Sequence, residues 1–307
     1  MLISKMFCAE NCKFRAKLSG KINIFERRKQ MNKCRNTVLC LMALVLACLL
    51  MSFTCAASEN IGEPITLLYN DNPIEGGFYA NDTAYAPYRA LISAIEPDVT
   101  YTWANGVSTA HGDGIEINAK AGLNYIEANG RIIYNDKGVN LNVNGTLYVP
   151  TASIARAYTL MSSWNLSRMR SCVAGKATPI ISGDEYYDED DLYWLSHIIS
   201  AESRGEPFRG QIAVGNVILL RVHDGSFPDD IYGVIFDKRF GVQFTPAYSG
   251  TIHKKPAESA VLAAKIALEG TEVVQALYFR AARGAKGGWI DRNRDFVCAI
   301  GNHVFYY

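Results

Sequence analysis

The chain has 307 residues, of which 49% are hydrophobic and 20% charged, a balance that buries a core and excludes wholesale disorder. Its formal net charge of +1 hides an asymmetry: residues 1–57 carry 10 Lys/Arg against 2 Asp/Glu, and residues 58–307 carry 21 against 28. An acidic body of this kind excludes sequence-independent binding to nucleic acid, which needs a basic surface to neutralise phosphates.

The first element in chain order is a leader. Val38 to Phe53 is an uncharged apolar run, preceded by Lys33 and Arg35 and followed by the small residues Cys55, Ala56 and Ala57. A basic segment, an apolar segment and a small-residue cleavage site make a signal peptide. Met31 opens an ordinary signal start, so residues 1–30 are expected to lie upstream of the true start. The alternative is an uncleaved anchor, because the run is close to membrane-spanning length. Membrane contact is therefore expected only through this leader. Six of the eight cysteines fall within it, leaving Cys172 and Cys298. They carry no CxxC spacing, and the pairing of these two thiols stays open.

Residues 58–166 are expected to be strand-rich. Short β-branched or alternating runs occur at 65–69, 115–117, 125–126, 131–134 and 139–143, separated by turn signals such as Asn129-Gly130 and Asn144-Gly145. In the last run Val139, Leu141 and Val143 alternate with Asn, which predicts a strand with one polar face. Thr83-Ala-Tyr-Ala-Pro87 recurs as Thr146-Leu-Tyr-Val-Pro150, each followed by a short helical stretch and then by a Trp, Trp103 or Trp164. Each Pro is placed to open its helix. This doubled pattern resembles the copper-amine-oxidase N-terminal-like stalk domain of exported bacterial proteins. No copper site follows, since copper wants several imidazoles and His111 stands alone here. Residues 167–189 lack periodicity, end in an acidic run and are expected to be a linker.

The apolar period changes to helical from Asp190. Asp190 or Asp191 is expected to cap a helix that runs to about Ser203 and stops at Gly205. Leu195, Ile198, Ile199 and Glu202 fall on one face, which places a carboxyl at the end of an apolar stripe near the negative end of the helix dipole. Desolvation and the dipole would both raise its pKa, as a general acid requires. Pro207 opens a second helix, and Pro256 and Gly270 bracket a third. Phe227–Tyr232 and Gly241–Pro246 are expected to be ordered loops. Beyond them, aromatic and amide side chains suited to stacking on sugars and bonding acetamido groups crowd the C-terminal stretch. The five His, at 111, 197, 223, 253 and 303, are dispersed with no HExxH, so no metal or other cofactor is expected.

The blocks LSHIISAESRGEP, GQIAVGNVILLRV, FPDDIYGVIFD, GVQFTP and IGNHVFYY stand in the order found in the SleB/CwlJ-type spore cortex-lytic enzymes, and residues 190–307 resemble this cell wall hydrolase family. The resemblance implies an α+β chain: a strand-rich stalk at 58–166 and a mainly helical, lysozyme-like catalytic domain at 190–307. It implies action on peptidoglycan glycan strands as a lytic transglycosylase, with Glu202 catalytic. The candidate substrate-binding residues are Glu206, Arg221, Gln243, Phe244, Tyr278, Trp289 and His303. For Glu206, a bond to backbone near the next helix start is the preferred role. The implied location is secreted, in the cell wall or spore envelope. Two departures stand out: Leu220 replaces the family's Asn, and Arg280-Ala281-Ala282 replaces its Asn-Pro. Hydrolysis or amide cleavage of the same wall, and wall binding without catalysis, are the alternatives.

Overall fold

The structure is a computed structural model, and it describes residues 61–239, 241–283 and 288–307. The leader, with its apolar run and cleavage site, lies outside the described residues. Among the described residues no helix is long and apolar enough to cross a membrane.

Tight turns set the strand-rich region. β1 (Glu63–Pro64), β2 (Thr66–Tyr69), β3 (Asn72–Ile74), β4 (Phe78–Ala80) and β5 (Thr83–Pro87) lead into helix α1 (Tyr88–Ile95). There follow β6 (Thr100–Ala104), β7 (Val107–Gly112), β8 (Ile115–Lys120), β9 (Tyr125–Ala128) and β10 (Arg131–Tyr134), which pair in sequence as an antiparallel meander. β11 (Leu141–Val143) and β12 (Thr146–Pro150) lead into α2 (Thr151–Ala157). The β9–β10 and β11–β12 hairpins turn on Asn129-Gly130 and Asn144-Gly145, with φ of 49° and 77° and of 51° and 82°. Asn-Gly tolerates this left-handed pair, whose twist matches the flanking strands. The two halves of the sequence repeat are neighbours: β5 pairs antiparallel with β12 in a sheet ordered β1-β4-β5-β12-β11. Pro87 and Pro150 sit at the N-cap, one position before the helix they were expected to open.

Two sequence expectations are corrected here. The strand expected at 139–143 starts only at Leu141; within it Leu141 and Val143 are half-buried and Asn142 is exposed, as the alternation suggested, but the two residues before it differ. Val139 is exposed and Asn140 is buried, because the Asn140 amide donates to the Lys120 and Tyr125 carbonyls. The stretch expected to be a linker is built into the fold. β13 (Met161–Asn165) pairs with β14 (Arg170–Ala174), and β14 pairs in parallel with β2. Ser171 and Val173 of β14 are buried, so a non-local partner, absent from any sequence window, makes this segment a strand.

The helical region holds α3 (Gly183–Tyr186), α4 (Glu189–Ser203), α5 (Phe208–His223), α6 (Ile231–Phe236), α7 (Thr245–Ser249), α8 (Glu258–Leu268) and α9 (Trp289–Asn293). A sheet ordered β15-β17-β16 joins them, from β15 (Tyr278–Ala281), β16 (Phe296–Ile300) and β17 (His303–Tyr306). The expected loops at 227–232 and 241–246 are loops except for their last two residues, which begin α6 and α7. α4 is capped by Asp188, whose carboxylate accepts from the Asp190 and Asp191 amides, two residues earlier than expected. A three-residue acidic first turn complements the helix dipole there. Leu195, Ile198 and Ile199 of α4 are fully buried and share a core with Ile212, Val214 and Val217 of α5 and Ala263, Ala264 and Ile266 of α8.

The two cores meet at β10. Ile132 belongs to the helical core, and Ile133, its neighbour on the opposite strand face, belongs to the strand-rich core. Beside them lies the carboxylate of Glu269, fully buried just beyond α8. It accepts from Arg131 Nε and Nη2 at 2.8 Å each, from Arg156 Nη2 at 2.6 Å and from the Tyr187 hydroxyl at 2.8 Å. The Arg131 guanidinium also lies 3.3 Å from the Tyr186 ring centroid. Breaking one side of a buried, hydrogen-bonded charge cluster strands the other side. Glu269→Ala is therefore expected to cost about 3–5 kcal/mol, read as a lower urea midpoint, whereas the exposed-surface control Glu272→Ala should change it little.

Candidate active site

The site is built around the C-terminal end of α4. The apolar stripe that buries α4 ends at Glu202, which is half-buried. Among the described residues its carboxyl makes no hydrogen bond and no ion pair, and its oxygens are not sealed from solvent. Burial raises its pKa from 4.5 to about 7. Burial accounts for the shift, and no neighbouring carboxylate adds to it. A desolvated carboxyl with no compensating partner is disfavoured as an anion, so near neutral pH a large fraction of it stays protonated. Gly205 follows in an ordinary conformation rather than the left-handed one expected of a helix stop.

Glu206 has a different environment although it is one turn further on. Its Oε2 accepts from the Asn302 backbone amide at 2.6 Å, and its Oε1 accepts from Asn302 Nδ2 at 3.2 Å. The turn it holds joins β16 to β17 and contains Gly301 at φ 59°. A Cβ at that glycine would come within 2.6 Å of Pro207 Cδ and closer still to the Glu206 carboxylate. Glu206 therefore anchors the hairpin to the start of α5; the backbone it bonds lies in this distant turn, not near the next helix start where it was expected.

The remaining candidates fall into two groups. Arg221, Phe244 and His303 are buried. Arg221 Nε donates to the Leu277 carbonyl at 2.7 Å, and its guanidinium faces the rings of Phe227, Phe244 and Tyr278. Burial lowers its pKa to about 10, so it stays charged at neutral pH. Phe279 lies between Phe244 and His303, with ring centroids 6.3 and 5.0 Å away. Burial lowers the His303 pKa against the opposing charge of Glu206, which keeps the ring neutral. These three side chains are interior props, not surface contacts. Gln243 and Tyr278 are half-buried and Trp289 is 57% exposed. Gln243 donates to the Gly241 carbonyl. Arg294 lies 4.5 Å from the Tyr278 centroid and 4.9 Å from the Trp289 centroid, and its Nη2 donates to the Tyr278 hydroxyl.

Sequence reasoning placed Asn302 among the amides of the C-terminal stretch without a partner for it, and missed Arg294 and Asp291. Asp291 in α9 accepts from Arg280 Nε and Nη2 and from the Tyr306 hydroxyl. Arg280, one of the two departures from the family pattern, thus ties the helix carrying Trp289 to β15. No motif marks these residues, since their role comes from cross-strand and loop partners. Leu220, the other departure, lines a concavity of about 620 Å³ between α5, α6 and the segment after α8, and Glu202 is not among its lining residues. Among the described residues no group of three or more His, Cys, Asp or Glu could hold a metal. In the strand-rich region, His111 meets only Thr102 and Glu116, which is no copper donor set.

A strand-rich region leads into a helical region that holds a half-buried carboxyl, Glu202, whose pKa burial raises to about 7. The comparisons agree on the kind. Residues 205–306 match the Cell Wall Hydrolase family and residues 70–169 match the copper amine oxidase N-terminal domain. The helical region thus carries a cell wall hydrolase domain, and the strand-rich region a copper amine oxidase N-terminal domain. It is 36% identical over 129 residues to a spore cortex-lytic enzyme of Oceanobacillus iheyensis, covering 42% of this chain and 45% of that protein. It is 37% identical over 131 residues to one of Bacillus cereus, covering 42% and 48%. The chain thus spans less than half the length of these relatives. Among solved structures, the catalytic domain of the germination-specific lytic transglycosylase SleB from Bacillus anthracis is 36% identical, with 42% of this chain and all of that one covered and a TM-score of 0.36.

The Glu202 environment makes two measurable statements. Its folded pKa of about 7 lies above the unfolded value of 4.5, so its contribution to stability is intact below the unfolded pKa and is lost as pH rises towards the folded one. The wild type should therefore lose roughly 3 kcal/mol between pH 4 and 8 through this group. Glu202→Gln should lack that slope in pH-dependent urea unfolding and be the more stable protein at pH 8. Glu206→Ala should lower Tm, with faster amide exchange at Asn302.

Proposed function

We propose that this protein cleaves the glycan strands of peptidoglycan as a lytic transglycosylase, with Glu202 as the one catalytic acid and base. The carboxylic proton of Glu202 passes to the bridging glycosidic oxygen as the bond from muramic C1 breaks, and glucosamine leaves with a free hydroxyl. The C6 hydroxyl of the same muramic ring bonds to C1 and returns its proton to Glu202, leaving a 1,6-anhydro end. No water is consumed and the acid is regenerated. A single carboxyl suffices because the substrate supplies the nucleophile, whereas hydrolysis places a second carboxyl at about 5–9.5 Å. The observation that carries this reading is the raised pKa of Glu202 with no charged neighbour contributing to it.

Gln243, Tyr278 and Trp289 are proposed to meet the glycan. Arg221, Phe244 and His303 are proposed to position the elements that carry them, and Glu206 to hold the β16–β17 turn. The domain division at 58–166 and 190–307, export through the leader, and action at the wall or spore envelope complete the proposal. Its support comes from the family match, the spore cortex-lytic relatives and the leader pattern.

The test is digestion of purified cortex and vegetative sacculi, with product ends read by mass spectrometry. Wild type should release anhydro-ended muropeptides, and Glu202→Gln should be slower by about 10²–10⁴-fold while still binding sacculi. The wild-type rate should fall as pH rises above about 7, where Glu202 loses its proton. Reducing ends alone would make the enzyme a hydrolase, and sacculus binding without any release would make it a wall-binding protein.

A further inference from the structure

The strand-rich region has a concavity of about 520 Å³ between the start of α1, the β6–β7 hairpin and the β11–β12 hairpin. Its wall carries Trp103, a large aromatic that is 55% exposed. Trp103 stands two residues from Tyr101 on the edge strand β6, so the two rings share one strand face. The Arg89 guanidinium lies 4.8 Å from the Tyr101 centroid, and the Tyr101 hydroxyl donates back to the Arg89 carbonyl. Arg89 has no ion pair or hydrogen bond from its guanidinium among the described residues. Across the concavity, the Asn142 side-chain oxygen accepts from Gly145 in the hairpin turn, which fixes the amide while its Nδ2 makes no bond among the described residues.

These groups have unused binding capacity on a stiff frame. Tyr88 beneath them is fully buried and donates to the Ile117 carbonyl at 2.6 Å, and the Asn144-Gly145 turn is conformationally tight. Trp and Arg together in a concave, pre-formed surface are typical binding anchors. An exposed indole offers its face to the C–H face of a pyranose ring. A free guanidinium and a free amide N–H₂ donate to acetamido carbonyls and to carboxylates. Nucleic acid is a poor occupant, because residues 58–307 are net acidic.

We propose that this concavity is a second glycan site, separate from the Glu202 site, that holds a polysaccharide of N-acetylated amino sugars against Trp103, Arg89 and Asn142. Both copper-amine-oxidase-like and hydrolase regions would then engage one polymer. Linked sites on a repeating polymer raise the effective concentration of the second for the first. The proposal uses the wall-hydrolase family match and does not depend on the cleavage chemistry at Glu202.

The test is co-sedimentation of the full chain with purified sacculi, using Glu202→Gln as background so that the polymer is not consumed. Adding Trp103→Ala or Arg89→Ala should each weaken binding about tenfold, with Trp103→Phe in between. A tetramer of N-acetylglucosamine should compete, and it should quench tryptophan fluorescence in the Glu202→Gln protein but much less after Trp103→Ala. In the Glu202-intact protein, Trp103→Ala should slow release from intact sacculi and leave the rate on short soluble glycans unchanged. Unchanged sacculus binding in both the Trp103 and Arg89 variants, with Tm preserved, would overturn the proposal. So would binding that survives on whole sacculi but disappears once stem peptides are stripped, since the occupant would then be peptide. If wild type fails to cleave any wall yet the Trp103 effect on binding persists, the cleavage reading falls and this one stands.

Discussion

Glu269 is a carboxylate without solvent exposure, held by Arg131, Arg156 and the Tyr187 hydroxyl. It comes from the end of α8, the two arginines come from the strand-rich region, and the tyrosine comes from the segment between the two. A buried charge of this kind is tolerable only with its partners in place, so the helical core cannot drift from β10 without stranding ions. The split loyalty of β10, Ile132 to one core and Ile133 to the other, makes the same demand in apolar terms. The helical and strand-rich regions on either side of β10 therefore have a fixed geometry.

Within that frame, two glutamates four residues apart have opposite environments. Glu202 lies at the end of a buried stripe with no partner among the described residues, and its pKa rises to about 7. Glu206 is bonded to the β16–β17 turn. The difference is one of compensation. Glu206 has its oxygens occupied by Asn302, whereas the Glu202 carboxyl loses water and gains no partner among the described residues, which favours its protonated form. A proton-retaining acid thus stands one turn from an acid that holds a turn in place.

The C-terminal sheet carries its side chains in layers. Trp289, Arg294, Tyr278 and Arg221 alternate ring and cation from the surface inwards, and Phe244, Phe279 and His303 continue the packing. Cation–π contacts gain strength as they lose water, so the buried Arg221 stiffens a row whose outer end is exposed. The Arg280–Asp291 pair fastens α9 to the same sheet. In this chain, then, the departure at Arg280 is structural.

The amino-acid order by itself determined the local features. These include the apolar stripe ending at Glu202, the Asn-Gly hairpins, the doubled Tyr-x-Pro pattern and the helix openings at Pro207 and after Pro256. Each depends on contacts or dihedral preferences within a few residues, which a sequence window contains. Tertiary structure alone decided that Ser171–Val173 is a strand rather than a linker, that Asn140 is buried and Val139 exposed, and that Arg221, Phe244 and His303 face inwards. It alone paired Glu206 with Asn302 and brought Glu269 to Arg131 and Arg156. Those outcomes depend on partners from 15 to 138 residues away, and no local periodicity records which partner will remove the water from a side chain.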